Sequence, residues 1–303
     1  MKSLLLASAC VPIGVALSAC ERPATAAAPV AAPVAVLPAS SAVADGSIAA
    51  LMREAFPKWS GQGAVVLHVP SYDHPDERIA IAATPTMAVK IDATHRALVL
   101  VGTPSDEAGH DAASHAQGGN LGIRVFELQG GRWVQKTAQD SVMWSGSMGI
   151  LGDVELVQLG PGHPALSIVS GFTGQGFNVR NLDVVELEPA GARVVLPGIR
   201  LSADALGAYA GCDEWLNRHQ VPSTEMLGDL NPGNCFEVGG AWHVQQAAGA
   251  ERGDIVISFD GHRVVVDEHT QAKSVQAVAG TLVYRYGKAG YEKAGGENPV
   301  PEV

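Results

Sequence analysis

Alternating apolar and polar positions dominate the chain once a first helical segment has ended. That first segment carries one apolar stripe at helical spacing, and Ser47 precedes it at a capping position. The stripe consists of Ile48, Leu51, Met52, Phe56 and Trp59. After Trp59 the pattern changes to short apolar runs with Gly and Pro between them, which is typical of β-strands. The pattern therefore predicts a short helix followed by strands.

Three stretches of the chain repeat one order of elements: strand, turn, strand, long polar loop, strand, tight turn, strand. The strands of the first unit lie at 87–91, 97–102, 123–128 and 132–134. Those of the second lie at 154–159, 165–169, 182–187 and 193–196. Those of the third lie at 241–244, 254–259 and 281–286, and end at Tyr291. We therefore predict an all-β, mainly antiparallel domain of repeated four-stranded units, either propeller-like or a β-sandwich.

This arrangement resembles the bacterial FG-GAP or VCBS-type repeat over residues 87–291, and the resemblance implies a propeller-like fold. A further apolar run at 64–69 is a candidate strand of a degenerate fourth unit. In that family, closely spaced Asp residues followed by Gly form a calcium loop. Here the loops offer only fragments such as Asp260-Gly261, so we transfer no calcium ligands.

The amino terminus has the order of a secretory signal, with Lys2 before the short apolar stretch 4–17. The stretch is too short for a permanent transmembrane helix. Leu17-Ser18-Ala19-Cys20 resembles the lipobox of bacterial lipoproteins, which implies cleavage after residue 19 and a lipid on Cys20. The alternative is an ordinary signal peptide cut nearby, with Cys20 incidental. Glu21 follows where an Asp would favour the inner membrane, so the resemblance favours the outer membrane.

The segment after the cysteine is almost entirely Ala, Pro, Val and Ser. Such a segment has too few large apolar residues to offset the entropy of ordering it. We therefore divide the chain into a signal peptide at 1–19, a lipidated cysteine with an Ala/Pro-rich tether at 20–45, and a β-rich domain at 46–303. The lipid implies a palmitate-type anchor in the outer membrane, with the domain facing the periplasm.

Composition and cysteine count limit the possible partners, cofactors and cross-links of the chain. The formal net charge of −11 opposes a phosphate-binding surface, so nucleic acid is excluded as a partner. No phosphate loop, dinucleotide fingerprint or zinc-binding helix motif occurs, so no cofactor is predicted. Of four cysteines, Cys10 leaves with the signal and Cys20 carries the lipid. The remaining pair, Cys212 and Cys235, predicts one disulfide in an oxidising compartment, with a metal pair or two free thiols as alternatives.

One candidate nucleophile stands in the sequence Ser145-Gly146-Ser147-Met148-Gly149, which is close to the G-x-S-x-G motif of hydrolases. That motif needs a strand before the serine and a helix after it. Residues 150–159 have the pattern of a strand instead. A turn between strands is therefore the favoured interpretation, and a catalytic Ser147 is the alternative.

Polar loops provide the candidate binding residues. The loop 105–115 contains His110, Asp111 and His115, and both imidazoles suit zinc or copper. Its alternative interpretation is a solvated loop tip. The corresponding positions of the second unit are Gln175, Asn178 and Arg180, and those of the third are His262, Asp267, Glu268 and His269. If the units repeat, these loops share one edge of the sheets and form a binding rim.

Three functions compete at this point. The leading prediction is a membrane-anchored envelope lipoprotein, without catalysis, whose β-repeat domain contacts an envelope protein, peptidoglycan or a glycan. The second is a periplasmic hydrolase that uses Ser147 or a metal at His110 and His115. The third is metal handling through the histidine-rich loops.

Overall fold

The computed structural model describes residues 45–209, 211–217, 234–267, 269–270 and 272–303, which belong to one compact unit. The predicted signal peptide, Cys20 and all of the tether except Asp45 lie outside the described residues, as does Glu268. Helix α1 spans Ile48–Ala55, and Ser47 caps it by accepting a hydrogen bond from the Ala50 amide. The short helix is confirmed. It ends before Phe56 because Pro57 follows, so Trp59 lies beyond it.

Two antiparallel sheets follow, and neighbouring strands in each sheet are consecutive in the chain. The five strands of sheet 1 are β1 (Val65–Pro70), β2 (Arg78–Lys90), β3 (His95–Pro104), β4 (Gly119–Gln129) and β5 (Arg132–Ser145). The first four strands of sheet 2 are β6 (Asp153–Gly160), β7 (His163–Gly174), β8 (Phe177–Glu188) and β9 (Gly191–Asp204). Its last four are β10 (Phe236–Gln245), β11 (Asp254–Val266), β12 (Lys273–Tyr286) and β13 (Tyr291–Gly296). Helix α2 (Cys212–Asn217) lies in the connection between β9 and β10.

The all-β, antiparallel architecture and the three four-stranded units are as predicted, since the units correspond to β2–β5, β6–β9 and β10–β13. Two details differ. The run at 64–69 becomes β1, which pairs with β2 and widens sheet 1 instead of forming a fourth unit. The second and third units share one sheet, because β9 and β10 pair through Glu237 with Asp204 and Val238 with Ala203.

Alternation along single strands builds three apolar layers. On β3, Leu98 and Leu100 face α1, whereas Ala97 and Val99 face sheet 2. On β8, Val185 faces sheet 1, whereas Val184 joins the core on the far side of sheet 2. Strands buried on both faces are apolar along their whole length. The burial of both faces therefore explains the continuous apolar run at 97–101, and it also explains why Leu182, Val184 and Val185 are all apolar.

Sheet 2 curls so that its last strand approaches its middle. Leu282 of β12, Tyr291 of β13 and Val300 share one core cluster with the apolar residues of β8 and β9. The carboxyl-terminal segment is held on β9, where the Asn298 amide donates to the Arg200 carbonyl at 2.7 Å. The curl therefore brings the last two strands of sheet 2 against β8 and β9.

Candidate functional site

The strand connections of sheet 2 alternate between its ends because every neighbour is antiparallel. The β7–β8, β9–β10 and β11–β12 connections lie at one end, which we call the groove end. The β6–β7, β8–β9, β10–β11 and β12–β13 connections lie at the other, which we call the cluster end. The predicted rim loops of the second and third units therefore lie at the same end of one sheet.

A groove of about 470 Å³ opens at the groove end, where the link between β5 and β6 lies beside β7 and β8. Its lining includes Ser147, Met148, Ile150, Phe172, Asn178 and Arg180. These residues come from the link 146–152, from the end of β7 and from the start of β8. The groove therefore lies where the chain passes from sheet 1 to sheet 2.

The link 146–152 is fixed on both sides by hydrogen bonds. The Ser147 hydroxyl donates to the Gly171 carbonyl of β7 at 3.0 Å. On the other side, the Met148 amide donates to the His115 carbonyl at 3.2 Å. The Gly149 amide donates to the Gln117 carbonyl at 2.7 Å, and a Cβ on Gly149 would lie 2.6 Å from the Ala113 side chain. The loop of the first unit is thus joined to the second unit through this link.

Large apolar side chains are exposed around the groove. The exposed fraction is 53% for Met148, 64% for Ile150 and 44% for Phe172. Met148 also has φ of +52°, a left-handed conformation that costs a residue with a Cβ about 1–2 kcal/mol. Contiguous exposed apolar surface is a mark of interaction sites, and backbone strain collects at functional positions. Both features meet at Met148.

Polar side chains on β7 and β8 are held in position beside this apolar surface. The Asn178 side-chain amide donates to both carboxylate oxygens of Asp204, at 3.1 and 3.2 Å. The Asn178 carbonyl oxygen accepts from the Thr173 hydroxyl at 2.8 Å. Arg180 lies 3.8 Å from Asp153, a weak and exposed ion pair. The groove therefore combines an apolar lining with a few oriented polar groups, as binding clefts do.

The predicted rim residues of the first unit lie in the β3–β4 loop. The His110 ring is 3.0 Å from the Asp106 carboxylate, and hydrogen bonds from His110 lower the pKa of Asp106. Asp111 forms a backbone bridge with Ser105, and His115 contributes its carbonyl to the link. Within the part of the chain that the structure describes, no group of three or more His, Cys, Asp or Glu side chains is placed to hold a metal ion.

In the second and third units, the connections between the second and third strands are shorter than the long loops that the sequence predicted. The β7–β8 connection is a two-residue turn at Gln175 and Gly176, both with positive φ, so Asn178 and Arg180 lie on β8 itself. His262 lies on β11 and pairs with Glu237 of β10. The structure thus brings Ser147, Asn178 and Arg180 into one groove. The third unit's residues lie at the same end of the sheet, with β9 and β10 between them and that groove.

The β11–β12 turn holds the remaining predicted residues of the third unit. The Asp267 carboxylate accepts from the backbone amides of His269 and Thr270, at 3.0 and 2.7 Å. These bonds, with the Thr270 amide first, lower the pKa of Asp267. Asp267 is therefore occupied in stabilising its own turn.

Two predicted sites, the candidate nucleophile and the cysteine pair, have structural surroundings that bear on the alternatives. Ser147 lies between two strands, and its hydroxyl donates to a backbone carbonyl; no histidine is among the described residues that line the groove. Cys212 and Cys235 lie at disulfide distance, with Cα atoms 5.4 Å apart, as the predicted bridge requires. The pair is buried with Trp215 and Val264, in the connection between the second and third units.

A buried carboxylate lies behind the link. Asp183 of β8 accepts from the Gly198 amide at 2.6 Å, and its other oxygen lies 3.1 Å from the Ser145 hydroxyl. The Ser145 hydroxyl is also 2.9 Å from that of Ser170. No cation pairs with Asp183 among the described residues, and burial raises its pKa. Asp183 therefore ties the end of β5 to sheet 2 with polar bonds alone.

The cluster end contains a buried ion cluster that the sequence pattern did not reveal. The fully buried Glu186 of β8 accepts from Arg252 Nε at 2.8 Å and from the Tyr286 hydroxyl at 2.9 Å. His163 Nδ1 lies 3.0 Å from the same carboxylate, and Arg193 lies 3.4 Å from it. Burial raises the pKa of Tyr286, whose ring lies 4.2 Å below the Arg252 guanidinium.

The sequence pattern did not predict the burial of Glu186, because a glutamate between apolar residues of a strand is expected to face water. The available signal was the predicted pairing of β8 with β9, which places Glu186 opposite Arg193. This cluster joins β7, β8, β9 and β12 with the β10–β11 loop. Its donors and acceptors are mutually satisfied, so it stabilises the curl of sheet 2 and offers little to a ligand.

Comparison of this chain with known protein families, with curated proteins and with solved structures finds no match. Among the described residues, neither helix has the length and apolar character needed to cross a bilayer. The functional argument therefore depends on the chain's own residues.

Proposed function

We propose that this chain is a lipid-anchored envelope protein whose groove end binds a partner protein of the envelope. The observation that carries the proposal is the coincidence of exposed Met148, Ile150 and Phe172 with the strained backbone of Met148 in one groove. Exposed apolar surface is costly in water, and rigid strands on both sides hold it in place. A binding role accounts for both the exposed apolar side chains and the strained backbone of Met148.

The lipid anchor is proposed from the sequence of the amino terminus. The lipobox-like Leu17-Ser18-Ala19-Cys20 and the Ala/Pro-rich segment after it would attach the domain to the outer membrane through a tether. Replacing Cys20 by Ser should abolish labelling with a fatty-acid analogue and release the protein from membranes. Labelling that persists in Cys20→Ser would contradict the anchor.

Photo-cross-linking in intact cells tests the groove. A photoreactive amino acid at Ile150 should give a discrete cross-linked product in the membrane fraction, because this side chain is 64% exposed in the groove. Tyr72 is the matched control, since it is also a large exposed side chain, at 67%, but lies in the β1–β2 connection. Equal products from both positions, or none from Ile150, would contradict the proposal.

A variant in the groove separates binding from folding. Phe172→Ser should remove the Ile150 cross-link and leave the domain folded, with a loss of about 1–2 kcal/mol in the free energy of unfolding, because the ring is 44% exposed and the rest of it is covered. Tyr72→Ser should change neither quantity. The hydrolase interpretation makes a different prediction, in which Ser147→Ala abolishes an activity while the cross-link persists.

A further inference from the structure

Strand β6 is an edge of sheet 2, and it begins at the groove. Among the described residues it pairs only with β7. At its far end the Leu159 carbonyl accepts from the Gly253 amide at 2.6 Å and from the Gln246 side chain at 2.7 Å. Between Asp153 and Gln158, no further backbone partner is seen in the described part of the chain. This leaves about one strand's length of open edge.

The other sheet edges are protected, each in a different way. β1 ends in Pro70, and its His68 carbonyl accepts from the Arg78 side chain. β5 abuts the β8–β9 hairpin, where the Gln139 side chain bonds both the amide and the carbonyl of Ala192. β13 pairs through a bulge and carries Lys293. Proline, lysine, bulges and covering segments are the usual protections of an edge.

Among the described residues, β6 has no proline, lysine, bulge or covering segment before Gln158, so the charged side chains of Asp153 and Glu155 are its only protection. The side chains of β6 have a regular order. Asp153 and Glu155 are exposed and lie on the same face of β6. Asp153 also lines the groove. Val154 and Leu156 lie on the other face, and Leu156 is 49% exposed. A strand added to β6 would therefore meet carboxylates on one face and apolar side chains on the other.

We propose that the partner of the groove end binds as an added β-strand along β6, and that this strand alternates cationic and apolar side chains. Lysine or arginine opposite Asp153 and Glu155 would be favourable cross-strand pairs, and apolar residues would cover Val154 and Leu156. The same acidic positions oppose a second copy of this chain as the occupant. Antiparallel self-pairing would bring carboxylates together in several registers, and each copy carries a net charge of −11.

This inference depends on the proposed function, and a defined probe tests it separately. The probe is a fluorescent peptide of alternating lysine and valine, added to the purified full chain in detergent micelles and followed by fluorescence anisotropy. The peptide should bind the wild type. A peptide with its two central residues replaced by proline should not, because it lacks the backbone donors on both of its edges. Equal binding of both peptides would show attraction of charge alone and overturn the inference.

Two matched variants locate the binding. Glu155→Lys should weaken the binding of the lysine–valine peptide about tenfold, because favourable cross-strand charge pairs become repulsive ones. Glu237→Lys makes the same charge change at an exposed position on the central strand β10, and it should leave binding unchanged. Equal weakening by both variants would overturn the inference in favour of general electrostatic attraction. Unchanged unfolding midpoints would show that both variants fold.

Further measurements distinguish the other occupants and the two proposals. A dimer in sedimentation velocity that Leu156→Lys abolishes would assign the edge to a second copy and overturn the peptide strand. If the Ile150 cross-link forms but no lysine–valine peptide binds, the groove function stands and strand addition fails. If the peptide binds along β6 while Ile150 gives no cross-link, the edge stands and the cellular role of the groove fails.

Discussion

Two buried carboxylates of β8, Glu186 and Asp183, have opposite surroundings. At the cluster end, Glu186 is surrounded by Arg252, Arg193 and the Tyr286 hydroxyl. Three residues earlier, Asp183 has a backbone amide and a serine hydroxyl as partners and no cation among the described residues. The first arrangement fixes elements that are far apart in the chain. The second lies behind a strained link with exposed apolar side chains, so stability and binding are separated along one strand.

The largest expected effect is at Glu186. Replacing it by Gln should lower the free energy of unfolding by about 3–5 kcal/mol, because the arginines of the cluster lose their buried counter-charge. Glu188→Gln is the control, since Glu188 pairs with Arg193 but is partly exposed, and it should cost less than about 1 kcal/mol. Denaturant unfolding measures both. Similar small losses in the two variants would show that the cluster is not the main lock of the curl.

The next effect concerns the connection between the second and third units. Replacing Cys212 and Cys235 by Ala should lower the free energy of unfolding by about 3 kcal/mol, as expected for a loop with a sequence separation of 23. Non-reducing digestion of the wild type should give one linked peptide pair. Alkylation of both cysteines without prior reduction would contradict the bridge, and a reduced wild type as stable as the oxidised one would contradict the magnitude.

At the groove end, one substitution should stabilise the protein. Met148→Gly relieves the left-handed backbone and should raise the free energy of unfolding by about 0.5–1 kcal/mol, after the entropy that glycine adds to the unfolded chain. Ile150→Gly, in the same link but without positive φ, should instead lower it. Thermal or denaturant unfolding gives the sign. A loss of stability in Met148→Gly would show that the side chain contributes more than the strain costs.

The smallest expected effect is a pH dependence at Asp183. Its pKa is raised above 3.8 by burial, so the folded state binds this proton more tightly than the unfolded chain does. The wild type should therefore lose stability as the pH rises through the raised pKa. Asp183→Asn does not titrate, so it should gain stability relative to the wild type at pH 7 and lose that gain in acid. A difference that is constant with pH would contradict this account.

Local pattern was sufficient for the strands and insufficient for the sites. The runs at 97–102 and 182–187 predicted strands because their apolar residues are buried on both faces. The second unit's loop was overestimated, because β7 and β8 continue through polar residues such as Thr173 and Asn178 to a two-residue turn. A hairpin between exposed polar strands has little apolar contrast to mark where the strands end.

Long-range geometry accounts for the rest. Glu186 meets Arg252 from 66 positions away and Tyr286 from 100. Neither contact leaves a periodic pattern in the sequence, because it is the curl of sheet 2 that brings these residues together. The motif around Ser147 drew attention as a candidate nucleophile, whereas its structural distinction is the backbone of Met148 and the exposure of Ile150. Exposure of an apolar residue depends on what the rest of the fold leaves uncovered.

The narrow pairing of β9 with β10 has a consequence for the order of folding. Other neighbouring strands of sheet 2 are joined by connections of a few residues and can zip together as local hairpins. β9 and β10 are separated by the segment 205–235 and meet at only two residue pairs in the described sheet. Because closing this long loop has an entropic cost before any pairing is gained, we expect the joining of β9 to β10 to be the slowest strand pairing within sheet 2. A bridge between Cys212 and Cys235 removes most of that segment from the closing loop, so oxidation before docking would speed the joining of the second and third units.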